Sequence, residues 1–257
     1  MKFRRECGGK KSARTKLEVM SKELCLGLVG GLGVGATIHY YRTLTRAYEE
    51  QARNLEIVIS HAETSRVFEY VQASDRDGLA EYLIFFIQRL KAAGAEVAAI
   101  PAITPHYCVR ELIATSPLPL FNIFDALVDE LTLRDIRRVA VFGTRYVMES
   151  SLYGFAGDVE IVRATPDEMN YIHQTYLELL QKASGTEEQY RNLTEIAHTL
   201  LRRDGVDAII LGGTDLSVIF NEMNTTFPYI DCAATHLKRI LRGLAEAPVS
   251  SPAAPPN

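Results

Sequence analysis

Three short turns of small residues carry most of the chemistry this chain offers. The first is Gly30-Gly31-Leu32-Gly33-Val34-Gly35-Ala36, the second Pro101-Ala102-Ile103-Thr104-Pro105-His106 and the third Leu211-Gly212-Gly213-Thr214-Asp215. Each follows an apolar run and precedes a helical pattern. Glycines let a backbone approach an anion, and helix N-termini favour negative charge. Gly31-x-Gly33-x-x-Ala36 formally fits a dinucleotide fingerprint. The acid that would hold a ribose is missing, because the next strand pattern ends Ile59-Ser60-His61 and Glu63 comes too late. A glycine turn that binds a small carboxylate, or one that only packs, fits the same residues. Thr104 and Thr214 are each placed to cap the helix that follows, with Pro105 as a first helical residue and Asp215 at a positive helix end. His106 and Asp215 are the best-placed candidates for acid–base work. Ordinary capping explains each turn taken alone, and explains less well two such turns in equivalent places.

The elements that must position these turns alternate along the chain. Strands are expected at Cys25–Val29, Glu56–Ser60, Val97–Pro101, Leu118–Asn122, Arg138–Phe142, Val159–Arg163, Ala208–Leu211 and Tyr229–Ile230. Helices are expected at Thr37–Asn54, Asp75–Gly94, Pro105–Ala114, Ile123–Leu133, Tyr146–Tyr153, Pro166–Ala183, Glu187–Asp204, Leu216–Asn221 and Ala233–Leu244. Such alternation predicts parallel sheets covered on both faces. "CLGLVGGLG" resembles "VAVFGTRYV", and "EVAAIPAITPHY" resembles "VDAIILGGTDLS" in outline. This hint of a repeat predicts two similar Rossmann-like α/β lobes. Their cleft would lie at strand C-terminal ends, where ligands bind in open parallel sheets.

Composition bounds the function classes. The 257 residues are 47% hydrophobic and 23% charged, which is ordinary for a globular chain that buries its core without disulfides. A net charge of -4 gives no general drive toward nucleic acid or anionic membrane. Cys7, Cys25, Cys108 and Cys232 form no CxxC pair, which suits a reducing cytoplasm. Cys108 and Cys232 read as small buried residues. Leu24 to Ala36 is apolar after a basic segment, yet holds too many glycines for a leader helix. Residues 1–23 read as a basic, solvated arm and residues 246–257 as a disordered Pro-rich tail.

Several segments together resemble the aspartate/glutamate racemase superfamily, cofactor-independent enzymes with two α/β lobes. "LGLVGGLGVGATIHYYRTL" is similar to the family opening "IGILGGMGPLATxxYYxKI", and "IPAITPHY" to "xPCNTAHY". "VAVFGTRYVMESSLY", "VDAIILGGTDL" and "YIDCAATHLKRIL" match later family segments, in family order, over most of residues 24–242. The repeat and the βα alternation predict a first lobe over 24–121, completed by a C-terminal helix in 229–245, and a second over 122–228. The resemblance implies no cofactor, no metal, a small amino acid or dicarboxylate as ligand, and a homodimer.

The departures bear on mechanism. The family's two catalytic cysteines, one per lobe, align with Ala102 and Gly213, neither of which titrates. The family Asn before Thr104 is Ile103, and its Glu after Thr214 is Asp215. The resemblance places Arg66, in the loop after the second strand, and Lys182, late in a second-lobe helix, as carboxylate anchors. Gly31, Leu32, Thr104, Thr144 and Thr214 complete the expected substrate-binding set. Two functions follow as expectations: an enzyme of the superfamily with non-standard chemistry, using His106 or Asp215, or a catalytically silent amino-acid or dicarboxylate binder serving as sensor or partner subunit.

Overall fold

A computed structural model of the protein describes residues 23–150, 154 and 158–246. The basic arm and the Pro-rich tail, apart from Glu23 and Glu246, lie outside these, as do Ser151, Leu152, Tyr153, Phe155, Ala156 and Gly157.

Two four-stranded parallel sheets share one topology. The first sheet runs β2 (Ile57–His61), β1 (Leu26–Gly30), β3 (Val97–Ala99), β4 (Leu120–Phe121). The second runs β6 (Glu160–Val162), β5 (Arg138–Phe142), β7 (Ala208–Leu211), β8 (Tyr229–Asp231). Strand order reverses between β1 and β3, and again between β5 and β7. The turns that follow these four strands therefore sit at two equivalent switch points, the usual ligand position of such sheets. The internal repeat read from the sequence is this doubled order. β1 is buried at every position, as a central parallel strand between two helical layers must be.

Helices cover both faces of each sheet. α1 (Val34–Glu50) buries Ala36, Tyr40, Leu44 and Tyr48 at four-residue spacing. It packs with Leu237, Ile240 and Leu244 of α9 (Cys232–Glu246) over Leu26, Leu28 and Ala99 of the first sheet. α2 (Thr64–Gln72), α3 (Arg76–Ala92) and α4 (Val109–Thr115) fill the opposite face. α5 (Ile123–Leu133) lies on one face of the second sheet. The long helices α7 (Pro166–Lys182) and α8 (Glu187–Asp204) lie on the other. Both open with a capping box, Thr165 with Glu168 and Thr186 with Gln189. The short α6 (Arg145–Glu149) follows β5, capped by Thr144.

Three local expectations are corrected. The chain after the second strand is not a loop but α2, so Arg66 stands on a helix. The segments opening at Thr104 and Thr214 begin as short 3-10 turns, Thr104–Cys108 and Thr214–Val218, and neither threonine caps its own turn. Tyr229–Asp231 pairs with β7 and extends the second sheet, while the helix after it returns to the first. Strand pairing claims the first three residues, and the apolar stripe of α9 claims the rest.

A buried relay fastens α9. His236 is fully buried, and its Nε2–H donates to the Phe121 carbonyl at 2.8 Å. Nδ1 is then the acceptor, and the Tyr40 hydroxyl donates to it at 3.0 Å. Tyr40→Phe leaves a buried acceptor unpaired, at a cost of about 1–3 kcal/mol. Urea denaturation should show that loss with an unchanged slope.

Candidate active site

The two switch points face each other, and hydrogen bonds cross between them. Thr104 Oγ1 and Thr144 Oγ1 lie 3.2 Å apart. Thr214 Oγ1 donates to the Pro101 carbonyl at 3.1 Å. The Ala36 amide donates to Asp215 Oδ1 at 2.9 Å. The threonines expected to cap their own helices thus spend their hydroxyls on the opposite lobe.

Asp215 explains the first glycine cluster. α1 opens at Gly33, which offers no side-chain cap, so an amide of its first turn needs an outside partner. The Asp215 carboxylate supplies one from the second lobe and sits where the helix dipole favours a negative charge. A Cβ on Gly33 would stand 2.3 Å from Asp215 Oδ2, and one on Gly35 would stand 2.8 Å from Oδ1. Gly33 also has φ of 144°, a conformation that side chains resist. These glycines make room for a carboxylate of the chain itself. Asp215 is fully buried, and that burial pushes its pKa up to about 6 against the pull of the Ala36 amide and the Tyr176 hydroxyl.

The pocket between the lobes is lined by Leu32, Thr64, Val67, Phe68, Ala102, Ile103, Thr104, Pro105, Thr144, Tyr176 and Leu180. It leaves about 10 Å³, roughly the room of one water. Ile103 is 2% exposed and packs into the core of the second sheet beside Val139, Val141 and Ile210. Opposite it, the Tyr176 ring of α7 fills the space beside Gly213. A Cβ there would lie 2.1 Å from the ring's Cε2 and 2.8 Å from Cζ, which bears the hydroxyl. That hydroxyl donates to Asp215 Oδ2 at 3.4 Å.

This doubled fold and paired-turn geometry find their counterpart among known proteins. A family profile described as Asp/Glu/Hydantoin racemase matches residues 29–240. The chain belongs to this racemase family. Solved structures agree on the fold. A structure described as a candidate Asp/Glu racemase from Yersinia pestis is 24% identical, with a TM-score of 0.74 over 87% of this chain and all of the other (100%). An aspartate racemase homologue from Pyrococcus horikoshii OT3 is 22% identical, with a TM-score of 0.71 over 86% of this chain and 99% of that one. A glutamate racemase from Francisella tularensis, solved with D-glutamate, is 13% identical, with a TM-score of 0.59 over 91% and 86%.

The structure distributes the expected racemase-site residues unevenly. Leu32, Thr104 and Thr144 line the pocket together with Ala102. Gly31, Thr214 and Asp215 stand behind that lining, in the turns themselves. Gly31 holds a left-handed φ of 84° and its carbonyl accepts from Thr64 Oγ1 at 2.8 Å. His106 is buried, and its Nδ1–H donates to the Ala102 carbonyl at 2.7 Å. Its ring stacks edge-on against Phe124, and burial lowers its pKa to about 4, so it is neutral at pH 7. Arg66 pairs with Glu69 at 2.6 Å, and Lys182 with Glu178 at 3.0 Å, both on exposed helix faces outside the pocket lining. Cys108 is buried and pushed up to about 12, and Cys232 is buried and raised as well, so neither supplies a thiolate. Cys7 lies outside the described residues. Tyr176 was not among the residues singled out from the sequence. It falls on the core stripe of α7 with Ile172 and Leu179, and spacing alone reads it as packing.

Gly213→Ala forces the Tyr176 ring aside, and overpacking of this kind costs about 1–3 kcal/mol. A double-mutant cycle should show that cost largely removed in a Tyr176→Ala background. Simple additivity would contradict the contact.

Proposed function

We propose that this chain binds a small amino or carboxylic acid between its lobes and does not racemise it by two-thiol chemistry. The pair of residues aligned with the family cysteines carries this reading. Ala102 brings only a methyl group to the pocket wall, and Gly213 is covered by the Tyr176 ring. Racemisation needs a proton-transfer group on each face of the α-carbon, and the Ala102 face has none. The buried, raised thiols of Cys108 and Cys232 supply no replacement.

Recognition falls to neutral donors. The paired hydroxyls of Thr104 and Thr144, of which one donates to the other, leave a donor facing the apolar walls Leu32, Val67 and Phe68. The Francisella relative solved with D-glutamate supports an acid of this size as ligand. Entry requires the lobes to part, since the closed pocket is no larger than a water. Such a protein serves as a sensor or a partner subunit. The scattered cysteines support a cytoplasmic location, and no helix among the described residues is long and apolar enough to cross a membrane. The expected homodimer is kept in this reading, supported by the exposed Val34, Ile38 and Tyr41 along one stripe of α1.

Calorimetric titration with L- and D-aspartate and L- and D-glutamate, paired with chiral chromatography of each incubation, tests the reading. Saturable binding of at least one without inversion is expected. Brisk inversion that thiol-blocking reagents leave alone, or no binding of any of the four, would overturn it.

A further inference from the structure

We propose that Tyr176, backed by Asp215, moves a proton on one face only of the ligand in the interlobe pocket. The proposal rests on the reading that this pocket takes a small acid. Among the described residues lining the pocket, Tyr176 alone carries a titratable side chain. Its ring occupies the space into which a side chain at Gly213 would project, with Cζ 2.8 Å from the Cβ such a residue would have. Its hydroxyl reaches Asp215 Oδ2 at 3.4 Å, and Asp215 is held in place by the Ala36 amide at 2.9 Å. The phenol therefore has an acceptor behind it and the pocket in front. The facing wall, Ala102 with Leu32 and Ile103, holds nothing that exchanges a proton.

The step balances within these groups. The α-C–H bond of the ligand breaks, and its electron pair passes into the ligand's carboxylate as an enediolate. The proton forms a new O–H bond on Tyr176 while the hydroxyl's original proton passes to Asp215 Oδ2. Reversal returns a proton to the same face, so configuration is kept. While the enediolate is held, the proton on Tyr176 exchanges with a water in the pocket, so in deuterated water reversal delivers deuterium to the same face without inverting the ligand. Burial and the Asp215 charge raise the phenol well above its ordinary range. It therefore stays protonated and accepts a proton only as its own leaves. Asp215, pushed up to about 6, remains ionised at neutral pH yet takes a proton more readily than an ordinary carboxylate. Two phenols face it, Tyr176 of α7 and, farther off, Tyr40 of α1. Both are raised well above 10, so neither titrates between pH 5 and 8.

The test uses the full chain with L- and D-aspartate and L- and D-glutamate in deuterated water. NMR follows loss of the α-proton, chiral chromatography the configuration and calorimetry the binding. Exchange with retention is expected for at least one acid. Its rate should fall about tenfold per pH unit below a midpoint near 6, where Asp215 gains its proton, and level off above it. Tyr176→Phe keeps the ring and removes the proton-bearing oxygen, and should slow exchange ~10²-fold or more at ligand saturation. Asp215→Asn should slow exchange by a similar factor and remove the midpoint near 6 from the exchange that remains. Binding without exchange, undiminished exchange in Tyr176→Phe, or a flat pH profile in the unmodified chain would each overturn the proposal while leaving the binding reading intact. Absence of binding would overturn both.

Discussion

One carboxylate organises the centre of this molecule. Asp215 comes from the second lobe and caps a helix of the first, accepting the Ala36 amide at the start of α1. Burying a carboxylate costs free energy unless hydrogen bonds and a favourable field offset it. Here an amide, a phenol and the positive end of a 17-residue helix offset part of that cost, and the burial they leave uncompensated raises the pKa. The glycines before α1 follow from this contact, because side chains at Gly33 and Gly35 would stand in the space the carboxylate fills. Thr214 next to it binds Pro101, and Thr144 meets Thr104, so the two switch points close as one unit.

Closure on these terms leaves little room between the lobes. The room that a substrate would take is narrowed by Ile103, which packs into the second lobe's core, and by the Tyr176 ring against Gly213. His106 is spent inside its own turn, neutral and bonded to the Ala102 carbonyl. Among the described residues that line the pocket, the polar groups are threonine hydroxyls and the Tyr176 phenol. Arg66 and Lys182 are committed to Glu69 and Glu178 on the helix surfaces.

The doubled α/β order was open to sequence reasoning because periodicity and the paired turns repeat it in each half. α5, α8 and β7 match the expected spans, since apolar spacing and caps mark them. α2 was hidden because "TSRVFEYVQ" has no capping signal and is short, with Val67 and Val71 its only buried residues. The roles of Thr104, Thr214 and Asp215 were misread for a different reason. Local sequence shows a capping residue beside its own helix, but their partners lie 40 to 179 residues away, across the lobes. Tyr176 shows the same limit, because its place beside Gly213 is set by the docking of α7 and not by its own neighbours.

Hydrogen exchange at the Ala36 amide, read by NMR, tests the cross-lobe cap most directly. An amide in the first turn of a helix ordinarily exchanges fast for want of a partner. Strong protection of Ala36 in the native chain is predicted, lost in Asp215→Ala while amides in the middle of α1 stay protected. Rapid exchange of Ala36 in the native chain, equal to that of an exposed first-turn amide, would contradict the account.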